Sequence, residues 1–276
     1  MKLPTVTVAM IAKNEAHNLD AFFASIAPIA DELVVAYSRS TDDTQERLEA
    51  WKAKAPYPVV MFEYNETPFH YGKARNSTLE RSTCDFIFVL DADERIPAET
   101  AARLKPFLAE KNPHAVVMQR QDDQVPHLVD PQTRIVRNHG PRYATAAFDQ
   151  LHEQLVLTTP PVPFDGLILH MQGANHWLNK HNRFFIELMR ELDRKENTRG
   201  LIREIIRAYI AFFYKFKKEY FRKKAYLDGV KGLKYSFLRA LHSFLVHFFV
   251  GLKPRVRLGT DGVPRGTGTP DQETKR

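Results

Sequence analysis

Short apolar runs alternate with longer amphipathic segments over the first 120 residues of the chain. The apolar runs have the length and β-branched content of strands; they are TVTVAMI, ELVVAY, PVVMFEY, DFIFVL and HAVVMQR. The segments between them have apolar residues at helical spacing; they are AHNLDAFFASI, TDDTQERLEAWKA, GKARNSTLERS and AETAARLKPFLAE. This alternation predicts an α/β fold, with a largely parallel sheet and helices on both of its faces.

Residues 121–175 have a different pattern, because six prolines interrupt short strand-like pieces. The pieces are TRIVRN, LHEQLVL and LILHMQ. Prolines at this density favour turns and loops between short strands. We interpret this segment as the second half of the same domain, which gives a first domain of residues 1–175.

The pattern becomes helical and basic in residues 176–253. Ile202, Ile206, Tyr209 and Phe213 fall at helical spacing among many lysines and arginines. The longest uncharged run, ALHSFLVHFFVGL, is shorter than the roughly 20 residues that span a bilayer. We therefore predict amphipathic helices that lie on a membrane surface. A nucleic-acid surface and an ordinary solvated face are the alternatives, and the Gly- and Thr-rich tail, residues 254–276, is predicted to be disordered.

Composition narrows the possible partners. The 276 residues carry a net charge of +7, which favours an anionic partner such as a nucleic acid, a membrane face or a phosphorylated substrate. The single cysteine, Cys84, excludes a disulfide framework and indicates a reducing compartment. No glycine precedes Gly72, so the glycine-rich loops that bind dinucleotides or triphosphates are absent from the first strand-to-helix turn.

Polar residues follow three of the predicted strands. They are Lys13-Asn14-Glu15, Tyr37-Ser38-Arg39 and Asp91-Ala92-Asp93. In open α/β sheets, ligands bind beyond the carboxyl ends of the strands. Two carboxylates at the end of a buried strand repel each other unless a cation joins them. Asp91 and Asp93 therefore predict a site for Mg²⁺ or Mn²⁺ that carries a nucleotide diphosphate.

These motifs together resemble a known family. IAKNEAHNL, DELVVAYSRSTDDT and YGKARNSTLERSTCDFIFVLDADERI are similar to the inverting family 2 glycosyltransferases of GT-A fold, the nucleotide-diphospho-sugar transferase fold. TRIVRN, LHEQL, LILH and YLDGVKGLKYSF most resemble the bacterial lipopolysaccharide core β-1,4-glucosyltransferase branch. The resemblance extends over roughly residues 5–250 and is strongest from Gly72 to Ile96.

The resemblance implies a set of site residues. Donor-binding residues would be Asn14, Glu15, Tyr37, Ser38, Arg75, Asn76 and Asp91, with Asp91 facing the ribose. The metal would be held by Asp93, with Asp91 and His170 completing its shell. Glu153 would be the catalytic base, oriented by His152, and Asp149 is the reserve candidate for the base.

The resemblance also implies the partners and the location. The donor would be a nucleotide-diphosphate hexose, with glucose as the expected sugar. The acceptor would be a lipid-linked saccharide such as the lipopolysaccharide inner core. The protein would then be cytoplasmic and peripheral on the inner face of the cytoplasmic membrane, and no nucleic acid is expected as a partner.

One loop departs from the family pattern. Where the family usually reads VVDSGSTD, this chain reads VAYSRSTD, with Tyr37 in place of the aspartate and Arg39 in place of the glycine. The Tyr37 ring is suited to stacking on a base and Arg39 to contacting a phosphate. Two alternatives stay open at this point: a nucleotidyltransferase of related fold, and a catalytically silent basic protein that binds membranes or nucleic acid.

Overall fold

The chain forms two compact units in the computed structural model, which describes residues 2–67, 69–145, 155–171, 188–189, 191–193 and 195–254, and the backbone of 257–258 and 264–265. The first unit comprises Met1–Asp123 and Val129–Gln172, and the second comprises Gln124–Leu128 and Gly173–Arg276. The sequence analysis put the domain boundary at residue 175 and did not anticipate that residues 124–128 group with the second unit.

The first unit contains ten strands and four helices among its described residues. The strands are β1 Val6–Ala12, β2 Glu32–Tyr37, β3 Val59–Glu63, β4 Phe86–Val89, β5 Glu94–Arg95, β6 Ala115–Asp122, β7 Val125–Arg137, β8 Arg142–Tyr143, β9 Leu155–Val156 and β10 Val162–His170, of which β7 begins in the second unit. The helices are α1 Ala16–Ile26, α2 Thr44–Lys52, α3 Tyr71–Arg81 and α4 Ala98–Lys111.

Eight of these strands form one mixed sheet in the order β3-β2-β1-β4-β7-β6-β10-β5. The strands β3, β2, β1 and β4 run parallel to one another, and β7 is antiparallel to β4. β10 is parallel to β6 and antiparallel to β5. Because parallel strands end at the same edge, this order brings the loops after β1, β2 and β4 together.

The central strands are apolar because helices cover them. In β1, Val6, Val8 and Met10 have no exposed surface, and they pack in one cluster with Leu19 and Phe22 of α1. Ala9 belongs to a second cluster, which includes Leu79 of α3. Alternate residues of a strand point to opposite faces of the sheet, so β1 is buried on both faces. The predicted helices on both faces are confirmed.

Among its described residues, the second unit contains two long helices. They are α5 Leu201–Lys217 and α6 Gly229–Leu252, joined by a π-helical turn, Lys218–Arg222, and a 3₁₀ turn, Ala225–Asp228. The prediction of helices in this region is confirmed. In the segment predicted to be disordered, Arg257–Leu258 and Pro264–Arg265 pair antiparallel, and residues 255–256, 259–263 and 266–276 lie outside the described residues.

Candidate active site

The acidic residues after β4 form a tight turn. All four residues of β4 are buried. Leu90, the next residue, continues the pairing with β1, because Leu90 N donates to Ala9 O at 3.0 Å. The turn is then closed twice, because Glu94 N donates to Asp91 O at 2.9 Å and Asp91 N donates to Glu94 Oε2 at 3.0 Å. These two hydrogen bonds fix how the chain runs between Asp91 and Glu94. The spacing of the two residues in the sequence does not determine that path.

Arginines hold the first carboxylate of the turn. Asp91 Oδ1 accepts from Arg75 of α3, and Asp91 Oδ2 accepts from Arg134 of β7 at 3.3 Å. Arg134 also donates to Glu94 Oε1 at 2.6 Å. The side chains of Arg75, Arg134 and Glu94 are 2%, 8% and 0% exposed, so this is a buried ionic network.

The network separates the pKa values of its two acids. Burial alone would raise the pKa of Asp91, but the charges of Arg75 and Arg134 outweigh it and hold that pKa well below its usual range. Burial raises the pKa of Glu94, against the opposing effect of Arg134. Arginine donors engage both oxygens of Asp91, and its predicted roles at the metal and at the ribose stay predictions.

Asp93 lies beside His170, the last residue of β10. The distance from Asp93 Oδ2 to His170 Nε2 is 3.1 Å. Two features of the backbone fix this pair: β10 and β5 pair with His170 opposite Glu94, and Met171 N donates to Asp93 O at 2.8 Å. The structure therefore brings together two of the three predicted metal ligands, although 77 residues separate them in the sequence.

A second carboxylate lies behind the histidine. Asp122 ends β6 opposite His170 in the parallel β6–β10 pair, and its Oδ2 is 3.9 Å from His170 Nδ1. Histidines that bind metals commonly present the other ring nitrogen to a carboxylate, which fixes the ring and the tautomer. His170 thus has one nitrogen within hydrogen-bond distance of Asp93 and the other 3.9 Å from the Asp122 carboxylate.

The chemistry and the spacing of this pair fit a divalent cation. Two neighbouring ligands of an octahedral ion with bonds of about 2.1 Å lie about 3 Å apart, and the Asp93–His170 distance is 3.1 Å. Carboxylate and imidazole suit Mn²⁺, and the carboxylate also suits Mg²⁺. Within the part of the chain that the structure describes, no group of three or more His, Cys, Asp or Glu residues has metal-ligand geometry.

The loops after β1 and β2 are joined by side-chain hydrogen bonds. Asn14 has a left-handed backbone, with φ of 57°, and its Oδ1 accepts from Thr41 N at 2.8 Å. Glu15 N donates to Thr44 Oγ1 at 2.8 Å, and Ala16 N donates to Asp42 Oδ2 at 3.1 Å. Asparagine tolerates the left-handed region better than most residues. Asn14 therefore has a structural role in this loop, and its role in donor binding stays a prediction.

Glu15 has an unusual environment for a carboxylate. Burial raises the pKa of Glu15 to about 7; a hydrogen bond from Asn18 opposes this shift, while the charges of Asp93 and Asp91 add to it. Asn18 Nδ2 donates to Glu15 Oε2 at 2.8 Å. Because the charges of Asp91 and Asp93 raise the pKa of Glu15, this carboxyl group lies near the acidic turn, as expected for residues at the ends of neighbouring strands.

The other predicted donor-binding residues have structural contacts. Ser38 Oγ donates to Tyr64 O at 2.7 Å, and Tyr37, the last residue of β2, is partly buried. The Asn76 amide pairs with the backbone of Tyr143: Asn76 Nδ2 donates to Tyr143 O at 2.9 Å and Asn76 Oδ1 accepts from Tyr143 N at 2.8 Å. Their contacts with a donor stay predictions.

The predicted catalytic residues lie outside the described residues, since the structure leaves out 146–154. Glu153, His152 and Asp149 all belong to this segment. The chain is described up to Thr145, and a Cβ at Gly72 would lie 2.3 Å from Ala144 O. Glycine is thus required at the start of α3, where the backbone that leads into this segment approaches the helix closely.

Sequence reasoning missed four residues at the site: Arg95, Arg120, Asp122 and Arg134. Arg95 donates to Ala92 O at 2.6 Å and to Asn18 O at 3.0 Å, so it braces the acidic turn against α1. Arg120 lies 3.8 Å from Glu94. All four lie within strands, and their proximity to the acidic turn depends on strand pairing, which the sequence does not show.

Comparison with known proteins gives three findings. The family model Glycosyl transferase family 2 matches residues 7–161. An uncharacterized glycosyltransferase of Rickettsia conorii is 24% identical over 260 residues, which cover 87% of each chain. The SPbeta prophage-derived glycosyltransferase SunS of Bacillus subtilis is 25% identical over 168 residues, 60% of this chain; this chain thus matches only 38% of the length of SunS.

A solved structure has a similar fold. The mannosyltransferase PcManGT from Pyrobaculum calidifontis, in complex with GDP-Man and Mn²⁺, superposes with a TM-score of 0.52 at 17% identity, covering 91% of this chain and 88% of that chain. The sheet, its acidic turn and this likeness define a glycosyltransferase of GT-A fold. Because the family model covers more than half of the sequence, the chain belongs to glycosyltransferase family 2. The predicted fold and family are confirmed, and the lipopolysaccharide core branch stays a prediction.

Proposed function

We propose that this protein is an inverting glycosyltransferase that moves a hexose, glucose in the first instance, from a nucleotide-diphosphate sugar to a lipid-linked saccharide such as the lipopolysaccharide inner core. One observation carries the proposal: the 3.1 Å Asp93–His170 pair beside the arginine-bound Asp91, at the strand ends of a family 2 fold. This arrangement suits an anionic diphosphate bound through a cation.

The donor-binding side of the proposal combines the predicted residues with the arginine network. Asp91 is oriented by Arg75 and Arg134, and an ionised carboxylate in a fixed orientation is a good acceptor for ribose hydroxyls. Arg75 and Asn76 precede β4, Asn14 and Glu15 follow β1, and Tyr37 and Ser38 lie at the end of β2. PcManGT was solved with a GDP sugar, and this supports a nucleotide-sugar donor in general without selecting the nucleotide.

Asp93 and His170 would hold Mg²⁺ or Mn²⁺ in this proposal. A divalent cation at this position neutralises the charge that develops on the departing diphosphate. The protein would keep the two ligands in place through the pairing of β5 with β10. Asp122 would orient the His170 ring if its carboxylate, 3.9 Å from the second ring nitrogen, moved within hydrogen-bond distance.

The attack needs a base on the acceptor side. Glu153 would take the proton of the acceptor hydroxyl as that oxygen bonds to the anomeric carbon and the bond from that carbon to the diphosphate oxygen breaks. One displacement of this kind inverts the configuration. His152 would orient Glu153, and Asp149 is the reserve candidate.

The acceptor and the location belong to the same proposal. A lipid-linked saccharide would be met at the inner face of the cytoplasmic membrane, where the protein would be peripheral. In support, the helices of the second unit expose many apolar and basic side chains.

The test is calorimetric titration of the full chain with UDP, GDP, CDP and TDP, each with Mn²⁺, with Mg²⁺ and without metal. We expect one nucleotide to bind in a metal-dependent manner. In Asp93→Asn and His170→Asn, metal-dependent binding should weaken by about tenfold or more, because each variant removes a ligand. The controls are Asp165→Asn, whose side chain is fully exposed, and His139→Asn, since asparagine tolerates the positive φ of 58° at that position.

Either of two results would overturn the proposal. Nucleotide binding that is unchanged in Asp93→Asn and His170→Asn would remove the metal assignment. No binding of any nucleotide by a folded chain, together with salt-sensitive binding to a DNA duplex, would favour the catalytically silent basic protein.

A further inference from the structure

The helix α5 exposes a row of large apolar side chains. Ile202, Ile206, Tyr209 and Phe213 recur at helical spacing, and Ile210 and Tyr214 widen the row on one side. These six side chains are between 54% and 74% exposed. A soluble protein normally exposes large apolar side chains singly and not as a continuous row along a helix.

The exposed row continues onto α6. Val230, Leu233 and Phe237 are 67%, 43% and 47% exposed. The two helices meet through aromatic contacts, Phe212 with Phe237 at 5.8 Å and Tyr209 with Phe244 at 5.3 Å between ring centroids. Tyr209 and Phe237 thus take part in the contact between the helices and are exposed as well. We call the following set of exposed apolar side chains the apolar face: Ile202, Ile206, Tyr209, Ile210, Phe213, Tyr214, Val230, Leu233 and Phe237.

The acidic residues of these helices do not reach the surface. Residues 201–253, all of which the structure describes, contain three acids, Glu204, Glu219 and Asp228. Glu204 and Glu219 are 3% and 1% exposed, and the Asp228 side chain is 2% exposed. Each acid has a basic neighbour: His247 at 3.0 Å from Glu204, Lys223 at 3.2 Å from Glu219, and His127 at 2.7 Å from Asp228.

The exposed charges of the same segment are therefore all positive. The exposed basic residues are Arg203, Lys217, Lys218, Arg222, Lys224, Lys231, Lys234 and Arg239. Several of them adjoin the apolar face in sequence, as Arg203 adjoins Ile202 and Lys234 adjoins Leu233. Exposed apolar side chains on helices whose exposed charges are positive are complementary to a bilayer interface that carries anionic headgroups.

We infer that α5 and α6 bind in the plane of an anionic phospholipid surface, with the apolar face entering the lipid and the basic residues contacting the headgroups. The inference deepens the proposed function, since a lipid-linked acceptor lies in such a surface. Its evidence comes from the second unit alone. Tyrosines such as Tyr209 and Tyr214 suit this depth, where a ring meets apolar chains and a hydroxyl meets water.

A transmembrane arrangement fits the helices less well. One described segment, Ala225–Leu252, is long and apolar enough by length and composition to cross a bilayer. It carries Lys231, Lys234 and Arg239, however, which are costly within hydrocarbon. Along one side of α6, Gly232, Ser236, Ala240 and Val250 are buried in protein and closed to lipid.

The test is sedimentation of the full chain with phosphatidylcholine vesicles, with and without about a third of phosphatidylglycerol, at low and high salt. We expect binding to the anionic vesicles that weakens as salt increases. The double variant Ile206→Ser, Phe213→Ser should bind about tenfold or more weakly, because it removes two apolar contacts with lipid. The matched control is Leu3→Ser, Val60→Ser, which changes two exposed apolar side chains of the first unit.

The inference would be overturned if the chain did not bind vesicles, if the double variant bound them as well as wild type, or if the chain stayed in the membrane after alkaline carbonate extraction. It would also be overturned if the chain self-associated or bound duplex DNA and the double variant did not. Far-ultraviolet circular dichroism and a melting curve establish that the variants are folded. Nucleotide titration of the same samples keeps the two tests apart, since the loss of vesicle binding with intact nucleotide binding would reject this inference and leave the proposed function standing.

Discussion

At the scale of single residues, Glu15 shows how the site changes the behaviour of one carboxyl group. Its pKa is raised from 4.5 to about 7, first by burial and then by the negative charges of Asp93 and Asp91, against a hydrogen bond from Asn18. A carboxyl group that binds its proton more tightly in the folded state stabilises the fold at low pH. That contribution is complete below the unfolded-state pKa and is lost as the pH rises through about 7.

We predict that Glu15→Gln removes this pH dependence. Glutamine keeps the oxygen that accepts from Asn18 but has no proton to lose. The free energy of unfolding of the variant relative to wild type should therefore rise between pH 4.5 and pH 7, by on the order of 1 to 3 kcal/mol, and stay level above that range. Urea unfolding at pH 5, 6, 7 and 8 measures this difference, and a difference that is constant with pH would mean that Glu15 ionises normally.

The residues of the site differ in how far the sequence could predict them. Asp93 and His170 were predicted as ligands from a motif and from the end of a strand, and the structure brings them to 3.1 Å. Asp122 was missed, because its proximity to His170 depends on the pairing of β6 with β10. A parallel pairing joins residues that are distant in sequence and leaves no local pattern.

At the scale of elements, hydrophobic periodicity predicted the first and last residues of a helix or strand closely where that element depends on local sequence alone. The predicted runs AHNLDAFFASI and ELVVAY coincide with α1 Ala16–Ile26 and β2 Glu32–Tyr37. The segment TRIVRN was predicted as a short strand and is the end of a 13-residue strand, β7. Only part of β7 alternates between buried and exposed positions, and the strand begins in one unit and ends in the other. Such irregular burial goes with a weak period-2 pattern of apolar residues in the sequence.

The Arg134 network joins three elements: the turn after β4, the short strand β5 and the end of β7. Removing one partner of a buried ion pair leaves a charge without compensation, which usually costs about 3–5 kcal/mol. We predict a loss of this size for Arg134→Met, measured by urea unfolding, since Glu94 is fully buried and lies 2.6 Å from Arg134. Adding Glu94→Gln should recover at least half of the loss, because it removes the uncompensated charge.

The control for this prediction is an arginine with exposed partners. Arg47 pairs with Asp20 and Asp43 at 2.9 and 2.8 Å, and all three side chains are more than 40% exposed. Exposed pairs are screened by solvent and contribute little to stability, so Arg47→Met should be nearly neutral. Equal losses in Arg47→Met and Arg134→Met would show that the buried network does not stabilise the acidic turn.

At the scale of the whole molecule, the chain combines a unit with the family 2 site and a unit with an apolar, cationic surface. The family model matches residues 7–161 and so ends before the helices of the second unit. The sequence predicted both parts, because helical periodicity and an excess of basic residues are local features. It could not predict that Glu204, Glu219 and Asp228 are buried, since that depends on how the helices pack.

This division of tasks leads to the last prediction. Transfer to an acceptor embedded in vesicles should require both units, whereas release of the nucleotide diphosphate by slow hydrolysis of the donor should require only the first. Ile206→Ser, Phe213→Ser should therefore lower transfer to a vesicle-embedded lipid-linked saccharide by about tenfold or more at limiting acceptor, the factor expected for its weaker lipid binding. Donor hydrolysis and transfer to the delipidated saccharide in solution, measured in parallel, should stay as in wild type. An equal loss with the soluble acceptor would show that these side chains act on the catalytic site and not through the membrane.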